Sequence, residues 1–200
     1  GPVASAHTFG APDPFIAPTF GSTTTSTTLN WQAPYDHGSS ITSYRVEILN
    51  LVNGIGNGQW LTLTTLTPST LTNTHLSLQS NTEYSYRVVA INPYGSTTSA
   101  TVPITTFAVP VTLTATPSSG TTIDLSWTAS SGASSYTIYS SSDNITFTVE
   151  GTSTNTTYQD TGLNLGQTVY YTYTITNAAG ESAQSASVSA TSYNVPGTTT

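Results

Sequence analysis

Apolar and polar residues alternate with a period of two along most of the chain, and no stretch of 11 or more residues carries an amphipathic-helix stripe. Thr28-Leu29-Asn30-Trp31, Tyr44-Arg45-Val46-Glu47-Ile48, His75-Leu76-Ser77-Leu78 and Tyr84-Ser85-Tyr86-Arg87-Val88 each put their apolar side chains on one face. That is the pattern of half-buried antiparallel strands. Gln79-Ser80-Asn81, between the last two, is turn chemistry.

The same order of signals then starts again. Ile123-Asp124-Leu125-Ser126-Trp127 repeats the Leu29/Trp31 strand, Tyr136-Thr137-Ile138 repeats Tyr44/Val46, and Tyr171-Thr172-Tyr173-Thr174-Ile175 repeats Tyr86/Val88/Ala90. Asn92-Pro93-Tyr94-Gly95-Ser96 is answered by Asn177-Ala178-Ala179-Gly180-Glu181-Ser182. Gly95 and Gly180 are 85 residues apart, while Trp31 and Trp127 are 96 apart, so the second copy is shorter between its tryptophan and its last turn. The missing length falls at Asp36-His37-Gly38-Ser39 and at the glycine-rich Asn53–Gly58 loop, since loops tolerate insertion. A repeat of this length, with short strands and frequent turns, predicts an all-β protein of two tandem seven-stranded Ig-like sandwiches. The expected division is an extended, proline-bearing N-terminal tail at 1–15, sandwiches at 16–108 and 109–194, and a linker at 195–200. Phe107-Ala108-Val109-Pro110 leaves almost no free connector, which predicts two modules in line with restricted motion. Gly1-Pro2 reads as the scar of a tag-removing protease or a mature N-terminus, in either case an excerpt of a longer polypeptide.

The residues that carry the repeat resemble those of fibronectin type III domains strung along bacterial and archaeal extracellular proteins. In the first copy these are Trp31, Pro34, Asp36, Gly38, Tyr44, Val46, Leu78, Tyr84, Tyr86, Val88, Asn92 and Gly95; in the second, Trp127, Tyr136, Ile138, Leu163, Tyr171, Tyr173, Ile175, Asn177 and Gly180. The resemblance implies a core in which each tryptophan fills the space between two sheets. Trp31, Tyr44, Tyr84 and Tyr86 would form it in the first copy and Trp127, Tyr136, Tyr171 and Tyr173 in the second. Tyr84, six residues after Leu78, stands where a tyrosine corner would tie its hydroxyl to nearby backbone. The second copy has Val169 there, which predicts the less stable domain of the two. The fold by itself names no function.

Composition removes whole classes of chemistry. The chain has no cysteine, so it has no disulfide, zinc-thiolate site or thiol nucleophile. Its only cations are Arg45 and Arg87, so Schiff-base lysines and P-loops are excluded. The net charge of −7 is the wrong sign for nucleic acid or an anionic membrane, and no apolar run is long enough to span a bilayer. Four carboxylates against both arginines leave −2 on the first half, and five carboxylates without a cation leave −5 on the second. Serine and threonine make up about a third of the chain, a hydroxyl coat suited to an extracellular or cell-surface protein.

Candidate chemistry is sparse. His7, His37 and His75 are the available imidazoles, and no serine sits in a Gly-x-Ser-x-Gly elbow. Asp143 and Glu150 are read as flanking a strand from Asn144 to Val149, and Asp13, Asp36, Asp143 and Asp160 as isolated turn carboxylates. No catalytic residue, metal site or cofactor is expected. Trp60 is a candidate for stacking on a sugar, although Phe147 holds the matching place in the second copy. Tyr139 and Tyr170 are candidates for an outward-facing pair that meets a glycan or a protein. Arg45 with Glu47, or Arg87 with Glu83, is expected to form small surface ion pairs, worth at most about 1 kcal/mol. Asn144-Ile145-Thr146 and Asn155-Thr156-Thr157 match the glycosylation sequon.

The reading that follows is a non-catalytic extracellular tandem module, a stiff spacer or an adhesion or assembly segment of a larger surface or secreted protein. Its partners would be neighbouring modules of the same polypeptide and a surface protein or polysaccharide. The alternatives are a carbohydrate-binding accessory module of a secreted glycoside-degrading enzyme, and a subunit of a surface filament or phage appendage that docks its Val3–Ile16 segment on a neighbour as an added strand.

Overall fold

The computed structural model describes residues 8–52 and 55–194, with the side chains of 50–57 set aside; Gly1-Pro2, His7, Asn53-Gly54 and the 195–200 linker lie outside the described residues. The chain divides into two compact units at Thr106/Phe107. All regular structure among the described residues is β.

The first unit holds β1 (Thr19–Ser22), β2 (Thr27–Asn30), β3 (Ser43–Val52), β4 (Ile55–Leu66), β5 (Thr72–His75), β6 (Glu83–Asn92), β7 (Gly95–Thr98) and β8 (Val102–Thr105). One sheet runs β1-β2-β5; the other runs β4-β3-β6, with β7 and β8 both on β6. β7 and β8 are thus one edge strand with an interruption, and the unit is a seven-stranded antiparallel sandwich. The second unit holds β9 (Leu113–Pro117), β10 (Thr122–Trp127), β11 (Ser135–Ser141), β12 (Thr148–Ser153), β13 (Thr157–Thr161), β14 (Thr168–Asn177), β15 (Gly180–Glu181) and β16 (Val188–Thr191). Its sheets, β9-β10-β13 and β12-β11-β14 with β15 and β16 on β14, repeat the first unit strand for strand.

The inward residues of each alternating run close on one tryptophan. Trp31 meets the edge of the Tyr44 ring at 5.7 Å, within a core of Leu29, Val46, Tyr86, Val88 and Ile104. Trp127 meets two tyrosines, Tyr136 at 5.3 Å and Tyr173 at 5.2 Å. Tyr84 is only half-buried and packs against the rim of the first core. Its hydroxyl accepts the Gln79 N–H at 2.8 Å, the bond the tyrosine-corner motif requires.

Two backbone devices recur in both units. Where the edge strand is interrupted, a serine hydroxyl takes the place of a strand carbonyl. Ser99 donates its N–H to Val88 O and accepts the Val88 N–H on Oγ at 3.0 Å. Ser182 does the same with Ile175 and Ser185 with Tyr173. At the other end of that strand a buried hydroxyl latches the β5–β6 loop. Thr106 Oγ1 accepts the Thr82 N–H at 3.0 Å and donates to Gln79 O at 2.7 Å. In the second unit Ser192 Oγ accepts the Gln167 N–H at 3.0 Å and donates to Asn164 O at 2.6 Å.

Three expectations about elements are corrected. β5 ends at His75, because Ser77 adopts a left-handed backbone (φ 60°) and turns the chain, which leaves Leu76 exposed. Residues 143–147 form a turn rather than a strand. Asp143 caps it by accepting the Ile145 and Thr146 N–H groups, so the strand starts at Thr148. Glu150 lies inside that strand, as the extra residue of a bulge opposite Ile138/Tyr139; Leu63 takes the same place opposite Val46/Glu47.

Candidate functional site

The outer face of the first unit's larger sheet gathers both of the chain's cations. Antiparallel pairing sets Glu47 directly across from Arg87, with Arg45 two residues along β3. Arg45 and Arg87 each donate an Nε–H to Glu47, one to each carboxylate oxygen, both at 2.6 Å. Glu47 is buried beneath the two guanidinium groups. Burial alone would push its carboxyl up; the hydrogen bonds from Arg87 and Arg45 outweigh it and hold the carboxyl below the ordinary range. The expected Arg45–Glu47 pair is present, while the partner of Arg87 is Glu47 and not Glu83, so the two pairs share one buried carboxylate beneath two partly exposed guanidinium groups. Arg87 also lies over the Trp60 ring, 4.2 Å from its centroid. One face of the half-buried Trp60 ring is thus covered by a cation.

In the second unit the position of Glu47 belongs to Tyr139, and Thr172 stands across from it. Tyr139 and Tyr170 do not pair, since Tyr170 lies across from Ser141, one step further along the sheet. The Tyr139 hydroxyl instead donates to Glu181 at 2.8 Å, and Thr174 donates to the same carboxylate oxygen at 2.5 Å. These bonds hold the Glu181 carboxyl below its usual range, while burial and then the Glu181 bond push the Tyr139 phenol up. Phe147 is half-buried, at the register position of Trp60.

A buried tyrosine crosses between the sheets in each unit, and its partner differs. Tyr86 lies 2.8 Å from His75 Nδ1; burial lowers the imidazole and raises the phenol. Tyr171 donates to Asp160 at 2.6 Å; burial raises that carboxyl despite the hydrogen bond. Asp160 is therefore a buried strand residue and not an isolated turn carboxylate. It lines a cleft of about 520 Å³ with Asp143, Glu150 and several hydroxyls. Each of those carboxylates accepts a side-chain hydroxyl within its own unit: Asp143 from Ser141, Glu150 from Ser140, Asp160 from Tyr171. Among the described residues no three His, Asp or Glu side chains gather to hold a metal ion.

The most elaborated site is the loop pole of the first unit, which sequence reasoning passed over. Asn92, buried at the end of β6, directs Nδ2 to Gly10 O (2.8 Å), Ser39 O (3.0 Å) and Asp36 O (3.3 Å), and its Oδ1 accepts the Tyr94 N–H. One amide thus ties together the N-terminal segment, the β2–β3 loop and the β6–β7 turn. The N-terminal segment is held further by Thr97 donating to Pro12 O, by the Asp13 N–H to Tyr35 O, and by a 2.6 Å contact between Asp13 and His37. It crosses Gly95 so closely that a Cβ there would stand 3.0 Å from Ala11. Residues 9–13, part of the expected extended N-terminal tail, are strapped to their own sandwich, and Asp13 is not isolated.

On this frame stand three exposed aromatic rings, Phe9 (52%), Tyr94 (57%) and Tyr35 (58%). Phe9 stacks on Tyr94 at 5.4 Å, and Tyr35 meets His37 edge-on at 4.9 Å. The second unit shares the Asn cap, and the ring at its pole is the half-buried Phe107. Asn177 caps the Ala179 N–H as Asn92 caps Tyr94, and the edge of the Phe107 ring approaches Gly180 where Ala11 approaches Gly95. Alanine 179 stands where the first unit has Tyr94.

Comparison with known proteins agrees with the architecture. Over 85 residues, 42% of its length, the chain is 41% identical to a poly(3-hydroxybutyrate) depolymerase of Ralstonia pickettii, and it spans 16% of that protein. Among solved structures it is similar to a two-domain fibronectin type III segment of chicken tenascin, with 18% identity, 90% of this chain and 100% of that one covered, and a TM-score of 0.48. A human fibronectin type III domain, the sixth of a protein named for such domains, is 24% identical, with 55% of this chain and 96% of that one covered and a TM-score of 0.45. The fibronectin type III domain profile matches residues 10–107, from the strap to the end of the first sandwich. The chain thus carries a fibronectin type III domain at residues 10–107, followed by a second sandwich that repeats its sheet order.

Proposed function

We propose that this chain is a non-catalytic extracellular module of a larger secreted protein, placed to hold a polymer-degrading domain in working relation to its substrate. The supporting observation is the 41% identity over 85 residues to a poly(3-hydroxybutyrate) depolymerase, of which the chain spans 16%. Two sandwiches with filled cores and internally satisfied carboxylates suit a positioning role better than a reaction. The polymer in that relative's name is a polyester, so a polyester takes precedence over the polysaccharide named among the expected partners. The carbohydrate-binding alternative is less favoured, because Arg87 covers one face of Trp60 and Tyr139 is engaged with Glu181. The filament alternative needs a free N-terminal arm, and Gly10, Pro12 and Asp13 make their hydrogen bonds within the first unit.

The test is a fusion of this chain to a depolymerase catalytic domain. The fusion should degrade a solid poly(3-hydroxybutyrate) film faster than the catalytic domain alone and cleave a soluble ester at the same rate. The chain alone should release no acid from either. Hydrolysis by the chain alone, or a fusion indistinguishable from the bare domain on film, would refute the reading.

A further inference from the structure

We propose that the aromatic loop pole of the first unit, Phe9, Tyr35 and Tyr94, is a contact surface for an uncharged polyester of hydroxyalkanoate type. The inference rests on the functional reading above and deepens it, from a spacer to a spacer that touches the polymer.

Four observations converge on this occupant. The rings are more than half exposed, yet they are not loose: Asn92 fixes the three segments that carry them, and Phe9 and Tyr94 stack on one another. A rigid aromatic platform loses little side-chain freedom when it binds, so its apolar area is available for affinity. The second unit keeps the same Asn cap with alanine in place of Tyr94, so the turn does not demand the Tyr94 ring.

Charge narrows the partner. The carboxylates of the pole are Asp13 and Asp36, and its one basic group, His37, is held against Asp13. An anionic partner would meet net negative charge there. One oxygen of Asp13 is held by His37 and one of Asp36 by the Gly38 N–H, while Asn92 Oδ1 accepts the Tyr94 N–H. The phenol hydroxyls of Tyr35 and Tyr94 stand on exposed rings as donors. A polyester repeat offers ester oxygens as acceptors, no donors and an apolar side group. It matches apolar rings carrying hydroxyl donors. The fourth observation is the depolymerase relative, whose named polymer has this chemistry.

Adsorption of the full 200-residue chain to a poly(3-hydroxybutyrate) film tests the proposal. Cellulose and polystyrene serve as comparison solids. The unaltered chain should bind the polyester saturably, and the triple variant Phe9→Ala/Tyr35→Ala/Tyr94→Ala should bind at least about tenfold more weakly. Trp60→Ala and Tyr170→Ala should bind as the unaltered chain does. Tyr94→Ala alone guards against a folding defect, since alanine already serves at that turn in the second unit; it should melt normally and still bind several-fold more weakly. Equal adsorption by the triple variant, equal binding to cellulose, or equal binding to polystyrene would overturn the proposal. If the chain fails to adsorb while its fusion still accelerates film hydrolysis, this inference falls and the spacer reading stands.

Discussion

The two sandwiches are the same scaffold carrying different surfaces, and the difference separates what folds the chain from what equips it. Three backbone devices appear twice: the serine that substitutes for a strand carbonyl, the hydroxyl latch at Thr106 and Ser192, and the Asn cap at Asn92 and Asn177. The Tyr84 corner bond belongs to the first unit alone, and three further features are not shared. The first unit has an Arg-Glu-Arg triad beside Trp60, a histidine partner for its buried tyrosine, and three rings at its loop pole. The second has Tyr139 bonded to Glu181, a carboxylate partner for its tyrosine, and alanine at the pole.

Substitutions that break this parallel should rank by how much buried structure each removes. The largest losses should come from Trp31→Ala and Trp127→Ala, about 3 to 5 kcal/mol each in denaturant melts. Trp127→Ala should cost more, since Trp127 packs on two tyrosine rings against one for Trp31. Equal losses would remove that distinction. Next come the latches, where Thr106→Val and Ser192→Ala should each cost roughly 1 to 3 kcal/mol by leaving buried backbone groups unpaired. A cost in one unit only would show that the latches are not equivalent. Tyr84→Phe should destabilise the first unit by about 1 kcal/mol. The second unit has no equivalent bond, because Val169 stands there, so it is expected to be the less stable half when the two are melted separately.

The smallest and most discriminating effects concern pH. His75 is lowered by burial from its ordinary 6.5, so the unfolded chain binds the proton more readily. Its contribution to stability is present above that value and is lost as pH falls through it. His75→Gln, which can still meet Tyr86, should flatten the response of the first unit between neutral pH and pH 5. Asp160 is raised by burial above its ordinary 3.8, so its contribution has the opposite sign: present in acid, and lost as pH rises through the raised value. Asp160→Asn should therefore raise the melting temperature of the second unit at pH 7, with the gain fading as the carboxylate range is entered. A loss of stability at pH 7 would mean that the ionised carboxylate is worth more to Tyr171 than its burial costs.

Much of the fold was legible because it depends on local alternation. Leu29/Trp31 and Leu125/Trp127 announce inward faces, and Tyr84 at its spacing from Leu78 announces the corner bond. The sites were less legible because they depend on register and on loops meeting. The Arg45 bond to Glu47 is local, but nothing local says that Glu47 will also face Arg87, since a shift by one residue would send every side chain to the other face. The same holds for Tyr170, which lies across from Ser141 and so misses Tyr139. The Asn92 hub joins carbonyls 82, 56 and 53 residues away in sequence, a meeting that exists only once the sandwich has formed. Carboxylates read as isolated, Asp13 and Asp160, found their partners in the same way.

The account rests most heavily on the claim that the first unit's pole, and not its counterpart in the second, meets the polymer. Residue-by-residue amide shifts during titration of the whole chain with a soluble 3-hydroxybutyrate oligomer read both poles and both sheet faces at once. The account predicts shifts gathered at Phe9, Tyr35 and Tyr94 and their neighbours on the Asn92 frame, with Ala178, Ala179, Tyr139 and Tyr170 unmoved. Shifts centred on the sheet faces, shared equally by the two poles, or absent throughout the titration would contradict it.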